Sequence, residues 1–270
     1  MITMNNGAEI KRFDDFGFDV ELDHTNPSTA KTKQRTLAIP GKVGLWDFGI
    51  EIEAKEFNFN LKMHERRYEV AQENFNQLVL FLFDSRGKPK ELEIIFDYEL
   101  DKFYKVKVNG DLSVDRDEFE KVMPINFIAF DPNKYSIIKQ SELYWDSEVL
   151  TLGSFVYFMD DKGASASTQI TASTVLDIEV LGQDVKPYIN ITGTGTSIMI
   201  RCGDGYVNVG THAASTTIGI DCERFVAYIN GVETMLDMNE FWLKRGSNDV
   251  SIIGVNMNFT VSFDYRDKWL

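Results

Sequence analysis

The alternation of apolar and polar positions changes character along the chain, and this change organises the reading. Ile50, Ile52 and Ala54 alternate, then the phase slips by one and Phe57, Phe59, Leu61 and Met63 continue on the other parity, which predicts one strand with a bulge near Lys55–Glu56. From Glu65 to Phe83 the spacing becomes helical, with Tyr68, Ala71, Phe75, Leu78, Val79 and Leu82 on one face. That helix is expected to stop at Asp84–Pro89, where Gly87 offers a left-handed cap and Pro89 blocks continuation.

Strand patterns resume at Leu92, Ile94 and Phe96, and again at Tyr104, Val106 and Val108. Asn109-Gly110 then separates the last of these from Leu112 and Val114, which predicts a tight hairpin. Ile125, Phe127 and Ala129 face one way while Ile128 and Phe130 face the other, so this strand is expected to be covered on both sides. The first part of the chain reads as α+β, a sheet with one helix against it.

The remainder reads as strands throughout: 155–159, 175–181, 188–192, 197–200, 206–209, 216–221, 225–229, 250–255 and 258–265. Short strands at regular spacing predict a β-sandwich of jelly-roll or galectin-like form, so the chain as a whole is mainly β. The last strand is the clearest, with Phe259, Val261, Phe263 and Tyr265 on a buried face and Thr260, Ser262 and Asp264 on a wet one. Gly193–Ser197 lacks the Lys-Ser/Thr of a phosphate loop and a following helix, and reads as a hairpin turn.

A chain of 270 residues exceeds the usual single domain. Residues 1–139 hold 20 of the 28 Lys and Arg, whereas residues 140–270 hold 12 of the 19 Gly, and Asp131-Pro132 ends a strand near the change. Two domains are therefore expected, 1–139 and 140–270.

Chemistry is sparse. No apolar stretch approaches a membrane span, and residues 1–15 lack the apolar core of a secretory signal, so synthesis in a cytoplasm is expected. Cys202 and Cys222 stand outside any metal-binding spacing and read as free thiols, and His24, His64 and His212 are isolated from any nucleophile motif. Asp115–Glu118 and Asp160-Asp161 lack the spacing of a calcium loop and read as solvated turns. With 42 Asp and Glu, carboxylate pairs at glycosidase spacing arise by chance and have no diagnostic value. The net charge of −14 disfavours specific nucleic-acid binding, since affinity for phosphates comes from Lys and Arg. No cofactor is implied and no enzymatic activity is expected. Trp145 and Trp242, with Tyr144 and Tyr157, form either a sugar-stacking platform or part of the core, and the core reading is the stronger.

Four segments carry a resemblance. Arg35-Thr36-Leu37-Ala38-Ile39-Pro40-Gly41-Lys42-Val43-Gly44 precedes a strand with Glu51 and Glu53, and Phe127–Phe130 runs into Asp131-Pro132-Asn133-Lys134-Tyr135. Pro187–Gly193 and Phe241–Asn248 follow in the second half. Together they resemble the distal tail (Dit) proteins of long-tailed phages infecting Gram-positive bacteria, with a departure at Leu181-Gly182, where many members carry an Asn-x-Gly turn.

The resemblance implies a structural subunit at the virion tail tip, a hexameric ring formed chiefly by the first domains. Its implied neighbours are the major tail tube protein on one side and the tail-tip hub or tail-associated lysozyme protein on the other. The tape measure protein and DNA would pass through the lumen. Arg35, Ile39, Pro40, Gly41, Gly44, Asp131, Pro132 and Tyr135 are then the candidate assembly residues. The competing reading is a carbohydrate-binding module directed at the host wall through Trp145 and Trp242.

Overall fold

The structure, a computed structural model, describes residues 2–21, 27–116, 121–139 and 167–270. The chain is mainly β, as the alternation pattern predicts, with one α-helix among the described residues. It divides into two compact units, residues 1–134 with Leu270 and residues 135–269, each with its own buried core.

The first unit begins with β1 (Ile2–Asn5), β2 (Ile10–Arg12), a 3₁₀ turn (Phe13–Phe16) and β3 (Asp19–Val20). There follow β4 (Thr32–Ala38), β5 (Leu45–Ile52), β6 (Lys55–Met63) and α1 (Tyr68–Leu82). It continues with β7 (Leu92–Phe96), β8 (Glu99–Val108), β9 (Asp115–Arg116) and β10 (Lys121–Ala129), and β11 (Lys134–Ser136) leads out. The main sheet has the order β2-β1-β7-β8-β10-β6-β3. Phe57, Phe59, Leu61 and Met63 of β6 and Met123, Ile125, Phe127 and Ala129 of β10 are all buried, because both strands turn alternate residues to the same core. Ala71, Leu78, Phe81 and Leu82 of α1 join that core, and the Phe16 and Phe81 rings lie 5.5 Å apart.

Four expectations for this unit are corrected. The phase slip at residues 54–56 is the end of one strand and the start of another: β5 pairs with β4 alone, and β6 pairs with β10 from Lys55↔Ala129 to Met63↔Lys121. Val108 and Asn109-Gly110 do not turn into a partner strand, since β8 pairs with β7 and β10, and the Asn109 amide donates to the Asn126 carbonyl at 2.8 Å. The face of β10 opposite the core is not covered: Phe130, at its end, is 69% exposed. Finally, α1 ends with Phe83 in an extended conformation, and Gly87 takes its left-handed φ in the following Asp84–Lys88 turn instead of capping the helix.

Gly110 keeps a φ of +88° in open space, so a β-branched side chain meets backbone strain and no clash. Gly110→Val is therefore expected to cost about 1–2 kcal/mol, the left-handed penalty of an L-residue, and a chemical denaturation midpoint equal to wild type would refute it.

The second unit contains β12 (Thr168–Ile170), β13 (Thr174–Val180), β14 (Tyr188–Cys202), β15 (Gly205–Asp221) and β16 (Val226–Ile229). β17 (Val232–Thr234), β18 (Asp237–Met238), β19 (Gly246–Asp264) and β20 (Lys268–Trp269) complete it. The order is β12-β19-β14-β15-β16-β17, with β13 also on β19 and β18 also on β15. Phe259, Val261, Phe263 and Tyr265 are buried as the alternation predicts.

Here the sequence segments 188–192 and 197–200 are one strand, as are 206–209 with 216–221 and 250–255 with most of 258–265. Gly193–Ser197 is accordingly not a hairpin turn. It is a bulged bend inside β14, where the register with β15 shifts between Gly193, Gly195 and Ile198. Glycine and Ser197, whose φ is 52°, allow the extra residues that bend a strand without breaking its pairing.

Candidate assembly surface

The first candidate feature is β4 and β5 themselves. They form a two-stranded sheet of their own, and every position in both strands is exposed. The register runs from Thr32↔Ile52 to Ala38↔Leu45 with a shift between Gln34 and Thr36, where Gly49 has φ +98°. That shift puts exposed apolar residues on both faces, with Leu45, Ile50 and Ile52 on one and Leu37 and Trp46 on the other. At about 3.4 Å per residue the hairpin is an arm roughly 25 Å long.

Arg35 lies on β4 and forms an ion pair with Glu51 across the hairpin. Ile39, Pro40, Gly41 and Gly44 make its tip, where the Lys42 amide donates to the Ile39 carbonyl at 3.1 Å and both glycines have positive φ. The Lys42 ammonium sits 3.9 Å from the centre of the Trp46 ring. Val43 is 100% exposed.

Asp131, Pro132 and Tyr135 belong to another place. They follow β10, whose last residue Ala129 pairs with Lys55 just beyond the root of the arm. Asp131 Oδ1 accepts the Asn133 amide at 3.1 Å and its side-chain NH2 at 2.7 Å, fixing the turn that leads to Lys134. The candidate residues thus fall into a tip group, with Arg35 along the arm, and Asp131 and Pro132 near its root, while Tyr135 belongs to the second unit.

A polar cluster, which the strand pattern did not reveal, sits at the root. Lys55 is 1% exposed, and its ammonium donates to the Tyr104 hydroxyl at 2.8 Å and faces the Tyr104 ring. Burial, with the charge of Lys134, drives its pKa down to about 8 against the opposing pull of Glu99. Burial works to raise Glu99, yet the hydrogen bonds from Lys102 and Lys134 hold it below the ordinary carboxylate value. Burial pushes Tyr104 up.

Because the folded state holds Lys55 below its ordinary value of 10.5, protonated Lys55 opposes folding in full below about pH 8, and the opposition fades as pH rises towards 10.5. Relative to Lys55→Met, wild type should gain up to about 2 kcal/mol between about pH 7 and pH 9.5, at about 1.36 kcal/mol per unit. Denaturant titrations at the two pH values give this difference, and a constant gap would show that Lys55 titrates normally.

In the second unit, Trp242 is half-buried, and the Lys186 ammonium lies 4.4 Å from the Trp242 ring centre and 4.9 Å from that of Phe225. Trp145, Tyr144, Tyr157 and His24 lie outside the described residues, as do Asp160-Asp161 and the 155–159 strand. Cys222 is buried and its thiol is pushed up to about 12, chiefly by that burial. Among the described residues, no His, Cys, Asp and Glu cluster could hold a metal ion and no helix is long and apolar enough to cross a membrane.

Comparison with known proteins gives the first unit a family model and the whole chain a fold. Residues 5–129 match the family model of the phage tail protein RIFT-related domain. The SPP1 Dit protein, whose crystal structure is described as a paradigm of the hub adsorption apparatus in phages infecting Gram-positive bacteria, superposes with a TM-score of 0.70. The alignment covers 100% of both chains at 17% identity, a likeness of fold. A chain of the phage p2 baseplate in its activated conformation aligns over 100% of this chain and 99% of its own at 11% identity, with a TM-score of 0.47. No curated protein matches in sequence. Residues 5–129 are thus a phage tail protein RIFT-related domain, and the chain over its whole length has the fold of the SPP1 Dit protein.

Proposed function

We propose that the chain is a non-enzymatic ring subunit of the tail tip, six copies closing through their first domain, residues 1–139, between the major tail tube protein and the tail-tip hub or tail-associated lysozyme protein. The tape measure protein and DNA pass through the lumen, where a net charge of −14 repels phosphate instead of binding it. The number six and the neighbours come from the resemblance to distal tail proteins.

The observation that carries assembly is the uncovered arm. A two-stranded hairpin is at best marginally stable alone in water, and this one exposes Leu37, Leu45, Trp46, Phe48, Ile50 and Ile52. Burying large apolar side chains contributes about 1.5–3 kcal/mol each, so a neighbouring subunit that covers the arm gains a substantial driving force. Arg35 and the 39–44 turn fix the arm's shape, and the Asp131-Pro132 turn follows the strand paired at its root. The carbohydrate reading of residues 140–270 is the weaker one, because Lys186 already occupies the surface of Trp242 that a sugar would stack on.

Native mass spectrometry of the full chain over a concentration series, with and without the tube and hub proteins, tests this. Interfaces of standard size, about 1,600 Å², leave assembly dependent on mass action. Hexameric rings are expected, and Trp46→Asp combined with Ile50→Asp should abolish them with an unchanged circular dichroism melt, since both residues are exposed. A chain that stays monomeric with its partners present overturns the reading.

A further inference from the structure

The first unit carries a groove that no described residue fills. It lies beside the start of α1, encloses about 320 Å³, and is lined by Phe18, Met63, Ala71, Phe75 and Val114, with Glu69 and Gln72 as polar edges. A cavity of about 150 Å³ takes a benzene, so this one has room for about two apolar side chains.

The hairpin tip has the complementary form. Ile39 and Val43 are 40% and 100% exposed on either side of a hydrogen-bonded turn, and Lys42 is the single charge between them. Glu69 is the charged side chain among the described residues that line the groove, and it makes no ion pair among them, whereas Glu65, before the helix, is paired with Arg67. A cationic, apolar tip and an acidic-edged apolar groove suit each other in charge and in size. They are not joined within one copy, because every residue of the tip is exposed.

Resting on the assembly reading above, we propose that the groove at the start of α1 receives the β4–β5 tip of a second copy of this chain, Ile39 and Val43 entering it and Lys42 meeting Glu69. Tip and groove are different surfaces, so the contact is head to tail. Such a contact closes into a ring or runs on as a filament, and it excludes a two-fold dimer built from one self-complementary patch.

Complementation of full-length variants tests the assignment under conditions where wild type assembles. Val43→Asp spoils the tip and leaves the groove, whereas Gln72→Trp fills the groove and leaves the tip. Each alone should raise the concentration for half-assembly at least tenfold. Mixed in equal amounts they should give a 1:1 heterodimer that grows no further, because the pair retains one tip and one groove. Should Gln72→Trp melt below wild type, Glu69→Lys serves instead, with assembly restored by adding Lys42→Glu. Rings from a normally folded Gln72→Trp chain, or a mixture that stays monomeric, overturn the groove assignment and leave the ring reading standing. Failure of wild type itself to assemble removes the ring reading, and the groove assignment with it.

Discussion

Gly193→Ala is expected to destabilise the second unit by about 3 kcal/mol or more, far beyond an ordinary surface change. Gly193 has φ +141°, a region L-residues rarely enter. A Cβ there would stand 2.4 Å from the Asn258 carbonyl oxygen and 2.6 Å from the Phe259 Cα, and both are backbone of the central strand β19. Neither can retreat without breaking the pairing of β14 with β19, which continues on both sides of the bulge. Gly231→Ala is the control, since it also has positive φ, +81°, but opens onto empty space and should cost only about 1 kcal/mol. Denaturant unfolding of the two variants measures the difference, and similar midpoints would mean that β14 yields at the bend.

The largest effect in the first unit is expected from Phe59→Ala. Phe59 is 1% exposed on β6, with its ring 5.9 Å from that of Phe127 and 6.3 Å from that of Phe96. Removing it takes away the transfer free energy and leaves a cavity among aromatic neighbours that cannot collapse, at about 3–5 kcal/mol. The two buried clusters share no residue, so Phe59→Ala and Gly193→Ala should each lower a different calorimetric transition. Both variants shifting one common transition equally would refute separate folding of the units.

Sequence alone determined the parts of this protein whose cause is local. The alternation of Phe57 to Met63 and of Phe259 to Tyr265 follows from side chains pointing to opposite faces of a strand, and α1 follows from the 3.6-residue spacing of Ala71, Leu78 and Leu82. Net charge disfavoured nucleic-acid recognition, and the Arg35–Gly44 and Phe127–Tyr135 segments carried the resemblance to tail proteins. Partner choice was beyond its reach. The slip at residues 54–56 looks the same whether one strand bulges or two strands end, and only β4 on one side and β10 on the other separate the cases. Asn109-Gly110 and Gly193–Ser197 carry hairpin signals, yet the first leads to no paired neighbour in sequence and the second bends a strand held on both edges by β15 and β19. Ile50 and Ile52 have the pattern of core residues, and the structure leaves them 59% and 55% exposed on an arm. An apolar side chain favours burial and is silent about what buries it, which only tertiary packing decides.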